Sequence, residues 1–463
     1  MPDRSLRALQ SILDAVNWRD APLAALRITP AANVLPTRLP IGPLATAALG
    51  ATGLAAATLW QQRGGGPQQV GIAMRAATLG MTTATYLRVD GKPVKSWDPI
   101  TGYYPVRDGW VYLHGNFPHL RDGLLQLFGV PNDANALRKV LAGWSAMEVE
   151  DATGTRGLCG VAVRDRAAWA AHPQAQATAT LPLIEITRIG DAAPRAPAPG
   201  PRPLSGVRVL DLSRVIAGPM AARTLAEHGA TVMLVSAPHL PSIESLVIDT
   251  GFGKHSASLD LRTEAGNSGL HQLAEGADVF LNAYRPGTLE RRGFSPADMA
   301  KRHPGIVYVT ISAFSRAGPW AQRRGYDTLV AAASGLTWNG NDQPPARLPC
   351  QPLDYLTGYL GALGAMLALQ RQTQEGGSWH VQLSLERTAA WIWEMTDQLG
   401  LEAASAVAIP TETEISDLYA ESASVFGQLR FLKPVAQLSL TPARWERGPV
   451  PLGTDPACWP ATH

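Results

Sequence analysis

Between Val207 and Ser312 the chain alternates short apolar runs with stretches of helical periodicity, and no other feature constrains its fold as much. Val207 to Asp211 (VRVLD) has the unbroken apolar character of a strand covered on both faces. Pro219 suits the start of a helix that runs to about His228 and is ended by Gly229, and Thr231 to Val235 is a second strand. Further strands are expected over Ala257 to Leu261, Asp278 to Asn282 and Ile306 to Ser312, with helices over Arg262 to Glu275 and Pro296 to Arg302. The pattern predicts an α/β protein with a Rossmann-like parallel sheet wrapped by helices. Ligands of such sheets sit beyond the carboxyl ends of the strands, which points to the loops after Leu212, Val235, Leu281 and Ser312.

The Ala-Pro run AAPRAPAPGPRP, residues 192–203, favours an extended connector and divides the chain. An internal repeat spans the division. Pairing Leu49 with Leu360 sets an offset of 360 minus 49, or 311 residues. Gly50, Ala51 and Gly53 then match Gly361, Ala362 and Gly364; Gly65 and Gly66 match Gly376 and Gly377; Val70 matches Val381. An apolar helix, a Gly-Gly turn and a strand therefore occur twice, with no first-half sheet expected before the early copy.

At 463 residues the chain is long enough for more than one packed region. Its net charge of +2, with scattered basic residues, lacks the footprint of a nucleic-acid binder. Cys159, Cys350 and Cys458 have no metal-site or disulfide spacing, so a reducing cytoplasm and no metal are expected. The opening MPDRSLRALQ carries charges where an export signal needs an apolar core. Pro43 to Leu59 is uncharged but Ala-, Gly- and Thr-rich and short for a span, so a buried helix and no membrane partner are expected. The histidines, His114, His119, His255 and His380 among them, suggest no cluster and read as structural.

A dinucleotide site needs GxGxxG at the first strand-helix turn and an acid after the second strand. The turn here is SRVIAGP, with Gly218 alone, and the second strand ends in Val235 and Ser236. A nicotinamide cofactor is not expected.

Four segments point elsewhere: VRVLDLSRVIAGPMAARTLAEHGATV from Val207, NAYRPGTLERRGF from Asn282, ISAFSRAGPWAQRRGYDTLVAAASGL from Ile311, and PLDYLTGYLGALGAMLAL from Pro352. In sequence and in order they resemble the family III CoA-transferases, the CaiB/BaiF family, over Leu204 to about Ala390. Weaker likeness extends to Asp108–Val130 and Leu440–Gly453. The resemblance implies the family III CoA-transferase fold, with a smaller α+β domain beside the Rossmann-like sheet. It implies acyl-CoA and a carboxylic acid as substrates, coenzyme A as the group carried, and a homodimer.

The resemblance also implies residue roles. Asp354, before the long Gly- and Ala-rich helix, would be the carboxylate nucleophile, since attack on a thioester gives an anhydride that the released thiolate can reopen. Lys254 and Arg291 would approach the CoA phosphates, Tyr284 would lie beside the adenine, and Val215, Ala217, Tyr326 and Gly358 would line the CoA site. From composition alone, Gly358 and Gly361 would let backbone amides approach a developing oxyanion. Ala237 and Ala283 stand where the family usually has a basic residue and an asparagine, and Tyr326 replaces the histidine that a racemase uses. Loops near Phe314 to Trp320 and Trp338 to Gln343 would form the acyl pocket.

The expected divisions are residues 1–100, a helical segment with the partial repeat copy; 101–191, a small domain; 192–203, the linker; 204–395, the Rossmann-like domain; and 396–463, a C-terminal return segment. Pro43 occupies the position equivalent to Asp354, so the early copy offers no second nucleophile. A non-catalytic acyl-CoA-binding subunit and a racemase remain as alternative readings.

Overall fold

The computed structural model describes residues 2–94, 97–340, 343–402 and 407–461, so Asn341 and Asp342 of the suggested acyl loop lie outside the described residues. Near the N-terminus, strand β1 (Leu26–Thr29), helix α1 (Ile41–Gln62) and strand β2 (Val70–Ala73) form a small unit in which β1 and β2 are parallel partners. Helix α1 is long and apolar enough to cross a membrane, and 89% of its apolar window is buried inside the protein.

The main sheet has seven strands: β3 (Glu185–Gly190), β4 (Arg208–Leu212), β5 (Thr231–Ser236), β6 (Lys254–Ser258), β7 (Val279–Asn282), β8 (Val307–Ser312) and β9 (Ser378–Ser384). Their spatial order is β6-β5-β4-β7-β8-β9-β3, and β3 alone is antiparallel to its neighbour. After laying β3 at one edge, the chain begins the parallel part at β4, winds outward to β6, then returns to place β7 on the other side of β4. A crevice therefore opens beyond the carboxyl ends of β4 and β7, where the winding reverses.

The strand expected over Ala257 to Leu261 runs instead over Lys254–Ser258, with Lys254 opposite Val232 and Ser258 opposite Ser236. Leu259 and Leu261 lie past the ladder and pack on the core from the following loop, which is why they give an apolar signal without being strand. Strand β3 precedes the Ala-Pro run, so the sheet draws on both sides of it. Residues 192–203 carry no helix or strand. They are fastened by Arg63, at the end of α1, which donates to the carbonyls of Pro203 (2.7 Å), Ser205 (2.6 Å) and Ala198.

Helix α2 (Ala217–Glu227) follows β4, and the short buried helix α3 (Asp327–Ala333) precedes the long helix α4 (Pro352–Glu375), which runs through the core. The repeat is visible in packing detail. A Cβ on Gly53 of α1 would lie 2.6 Å from Val70 Cγ1 of β2, and one on Gly364 of α4 would lie 2.5 Å from Val381 Cγ1 of β9. In both copies the helix passes so close to its strand that a side chain has no room. Each copy's strand also has one parallel and one antiparallel neighbour: β2 lies between β1 and Gln437–Leu438, and β9 between β8 and β3. Strand β1 thus precedes the early copy, where the sequence suggested none. The two helices touch, with Thr52 Oγ1 donating to the Tyr359 carbonyl (3.3 Å) and Gln370 Nε2 to that of Ala55 (3.1 Å).

Candidate active site

The turn from β4 into α2 carries Ser213, Arg214 and Val215, and the loop after β7 carries Ala283, Tyr284 and Arg285. Both reach the crevice where the winding reverses. Val215 is held at φ 73°, a backbone conformation uncommon for a β-branched residue. Strain of this kind persists where surrounding packing fixes it, and Val215 lines three adjoining cavities.

Asp354 enters from the opposite side, in the first turn of α4, which starts with Pro352 at a position where the missing amide hydrogen costs nothing. The first amides of a helix lack partners within it. Here Asp327, at the start of α3, accepts from the Leu353 amide (2.8 Å) and the Asp354 amide (3.1 Å) with one carboxylate oxygen. One acid thereby fixes the backbone that carries the other. Among the described residues no group donates to the Asp354 carboxylate. Burial, reinforced by the nearby Asp327 carboxyl, pushes Asp354 well above the usual carboxylate range. Burial also raises Asp327, to about 7, despite the two amides that favour its charged form.

Asp354 stands on the wall shared by two spaces. The first is an open cleft of about 1250 Å³ whose lining includes Arg214, Tyr284, Arg285, Arg323, Arg324 and Tyr326. Arg323 is committed to the carbonyls of Glu150 (3.0 Å) and Gly160 (2.6 Å) and lies over the Trp320 ring. The exposed Arg285 guanidinium has no hydrogen-bond or ion-pair partner among the described residues, which leaves a cation at the crevice rim. The second space, of about 570 Å³, is bounded by Trp97, His114, Asn116, Ile216, Ile243 and Leu246 together with Tyr326, Asp327 and Asp354. His114 stacks on Tyr326 with ring centres 4.1 Å apart. Ala84, Thr85, Trp97, His114 and Asn116 all come from the N-terminal half.

Several expected residues are placed differently. Lys254 is 1% exposed, and its Nζ donates to Asp211 (2.8 Å) and to the Pro219 carbonyl (2.8 Å), so it braces β4 and α2 from inside and cannot reach a phosphate. Arg291 is exposed on the single turn Glu290–Arg292, outside the cleft lining. Gly358 is buried against α2, where a Cβ would meet the Ala217 carbonyl at 2.8 Å, and Gly361 faces Ile311 and Ala221, so both serve close helix packing rather than an oxyanion. Tyr284, Val215, Ala217 and Tyr326 do line the cleft with Asp354. Phe314 and Trp320 pack on each other with ring centres 5.0 Å apart, away from the second space. His114 lines that space while buried and stacked on Tyr326. No sequence signal distinguished Arg214, Arg285 and Arg324, or Trp97 and Asn116, because only folding brings them to Asp354.

The profile of CoA-transferase family III matches residues 204–427, a stretch that contains Asp354, the reversal crevice and all the strands of the main sheet except β3. The chain is similar to CoA-transferase family III over just under half of its length. The chain is 29% identical to an acetyl-coenzyme A transferase of Hypoxylon pulicicidum over 63% of its own length and 54% of the relative's. It is 30% identical to an acyl-CoA transferase of Gibberella moniliformis over 68% of its length and 64% of the relative's. The chain thus spans between about half and two thirds of these relatives. A crystal structure of a CaiB/BaiF family protein from Brucella suis superposes with a TM-score of 0.40 at 25% identity, covering 43% of this chain and 57% of that one. The matched stretch ends well after Ala390, and the second space draws its N-terminal wall from residues outside it.

Proposed function

We propose that this protein moves coenzyme A between an acyl thioester and a carboxylic acid, with Asp354 as the covalent nucleophile. The observation that carries the reading is the position of Asp354 on the shared wall of an arginine-lined cleft and a second, largely apolar cavity. The relatives named as acetyl-CoA and acyl-CoA transferases support it. The arginines of the cleft suit the phosphates of coenzyme A, and Tyr284 offers a ring face to its adenine.

In this reading the Asp354 carboxylate attacks the thioester carbonyl, the C–S bond breaks, and CoA leaves as thiolate. The mixed anhydride is reopened when the thiolate attacks the aspartyl carbonyl, releasing the first acid and leaving an aspartyl-CoA thioester. The acceptor carboxylate attacks that thioester, and the thiolate then takes the acceptor's acyl group, freeing Asp354. Each carbonyl is attacked next to the N-terminus of α4, whose dipole favours negative charge.

Incubation with acyl-CoA followed by hydroxylamine should convert Asp354 to its hydroxamate, read by peptide mass. Asp354→Asn should lack the adduct and lose about 10³-fold or more in turnover. Binding of acyl-CoA with no adduct at Asp354 would instead select the non-catalytic subunit.

A further inference from the structure

The second cavity differs in chemistry from the arginine-lined cleft. Among the described residues its wall contains no lysine or arginine. The titratable side chains facing it are Asp327, Asp354, His114 and Tyr326. Burial drives the His114 imidazole down to about 3, so it is neutral, and raises the Tyr326 hydroxyl. Asn116 is fixed by its side-chain oxygen, which accepts from the Asp98 amide (2.9 Å) and the Thr101 hydroxyl (2.8 Å). Arg347 lies over the Trp97 ring at 4.1 Å but is exposed and forms no part of the wall.

The apolar surface continues beyond this cavity. An adjoining space of about 530 Å³ shares Val215, Ile243 and Leu246 with it and adds Leu234, Leu240 and Val247. Arg214 also borders that space, but its guanidinium donates to the Pro241 carbonyl and lies over the Phe117 ring at 5.3 Å. A carboxylate carried into the second cavity loses its hydration without gaining a cation from its wall, and near the reacting end it meets two further acids. A hydrocarbon chain loses nothing and buries its own surface.

We propose that the acyl pocket of this protein lies between Trp97, Ile243 and Leu246 and takes uncharged, apolar monocarboxylic acids, while discriminating against dicarboxylic acids. The proposal rests on the transfer reading given above: the thioester carbonyl sits at Asp354 and the chain runs toward Ile243 and Leu246. Specificity is then supplied largely from the loop after β5 and the helix Glu244–Thr250 that follows it, and from the N-terminal half, not from the motifs around the nucleophile.

The test compares hexanoyl-CoA, benzoyl-CoA and succinyl-CoA as donors in the hydroxylamine trap, using the full chain. The expected result is that hexanoyl-CoA or benzoyl-CoA labels Asp354 at least about 100-fold more efficiently than succinyl-CoA. Ile243→Arg should narrow or invert that ratio by giving the distal carboxylate a partner, and Trp97→Ala, a variant that adds no charge, should weaken the apolar donors without helping succinyl-CoA. Succinyl-CoA labelling as well as or better than hexanoyl-CoA would overturn the pocket assignment and leave the transfer reading standing. If no thioester labels Asp354, the transfer reading fails, and competition for bound CoA separates the two claims. Hexanoyl-CoA displacing it at lower concentration than succinyl-CoA would uphold the apolar pocket, and equal displacement would overturn it.

Discussion

Asp327 and Asp354 share a backbone and an environment, and their coupling has a sign that kinetics can read. The Asp327 carboxyl helps to hold Asp354 above the usual carboxylate range, so its charged form, the one the proposed attack needs, becomes populated as pH rises. Asp327→Asn removes that charge while keeping an oxygen for the Leu353 and Asp354 amides. The acid limb of kcat/KM should therefore move about one unit toward lower pH. An unmoved limb in the pH-rate profile would mean that the neighbouring carboxyl does not set the ionisation of Asp354. Lys254 calls for a different experiment. Its ion pair with Asp211 is buried on both sides, at 2% and 0% side-chain exposure. Lys254→Met should lower stability by about 3–5 kcal/mol in a denaturant melt, because Asp211 is left uncompensated, while CoA affinity of the folded protein is retained. The sequence makes Asp354 legible because its motif surrounds it. Lys254 was legible only as a charge, since a lysine beside glycines looks the same whether it faces a phosphate or a buried aspartate. The arginines of the cleft come from three separate segments and become a group only at the crevice.

Helices and strands were legible where apolar period and punctuation agreed. The helix expected over Pro296 to Arg302 has those limits, and the strands after Asp278 and Ile306 begin one residue late. The strand at Lys254–Ser258 was displaced because its polar alternation is weaker than the apolar loop that follows it. The duplicated helix-turn-strand unit could be found by register alone, yet its cause is steric and lies in two contacts of the same kind. Gly364→Ala should destabilise the protein by about 1–3 kcal/mol through the Val381 contact, partly offset by the better helix propensity of alanine. Gly53→Ala should do the same through Val70. Adding Val381→Ala or Val70→Ala, respectively, should recover part of the loss, measured as a coupling energy in a double-mutant cycle. Additive losses would show that the close approach is not what demands glycine.

At the scale of the whole molecule the sequence divides at the Ala-Pro run, whereas the packing does not. Strand β3 completes the main sheet from the near side of the run, α1 lies against α4, and the cavity beside Asp354 takes Trp97 and His114 from the first half. Tertiary contact of this kind leaves no local signature, so the join between halves could not be read in advance. Residues 192–201 are largely exposed and carry no regular structure, which makes them a site for limited proteolysis. A chain nicked there should elute from gel filtration at the size of the intact protein and retain its near-ultraviolet dichroism. Separation of the pieces would refute a shared core.

The two copies of the helix-turn-strand unit differ at one decisive place, since Pro43 stands in α1 where Asp354 stands in α4. Architecture and chemistry have therefore separated: the scaffold is counted twice and the reactive carboxyl once. On the proposed transfer reading, acyl-CoA with hydroxylamine should label the chain with a single equivalent, at Asp354, and none in the early copy. The spare copy serves as a buttress, its helix hydrogen-bonded to the one that carries Asp354.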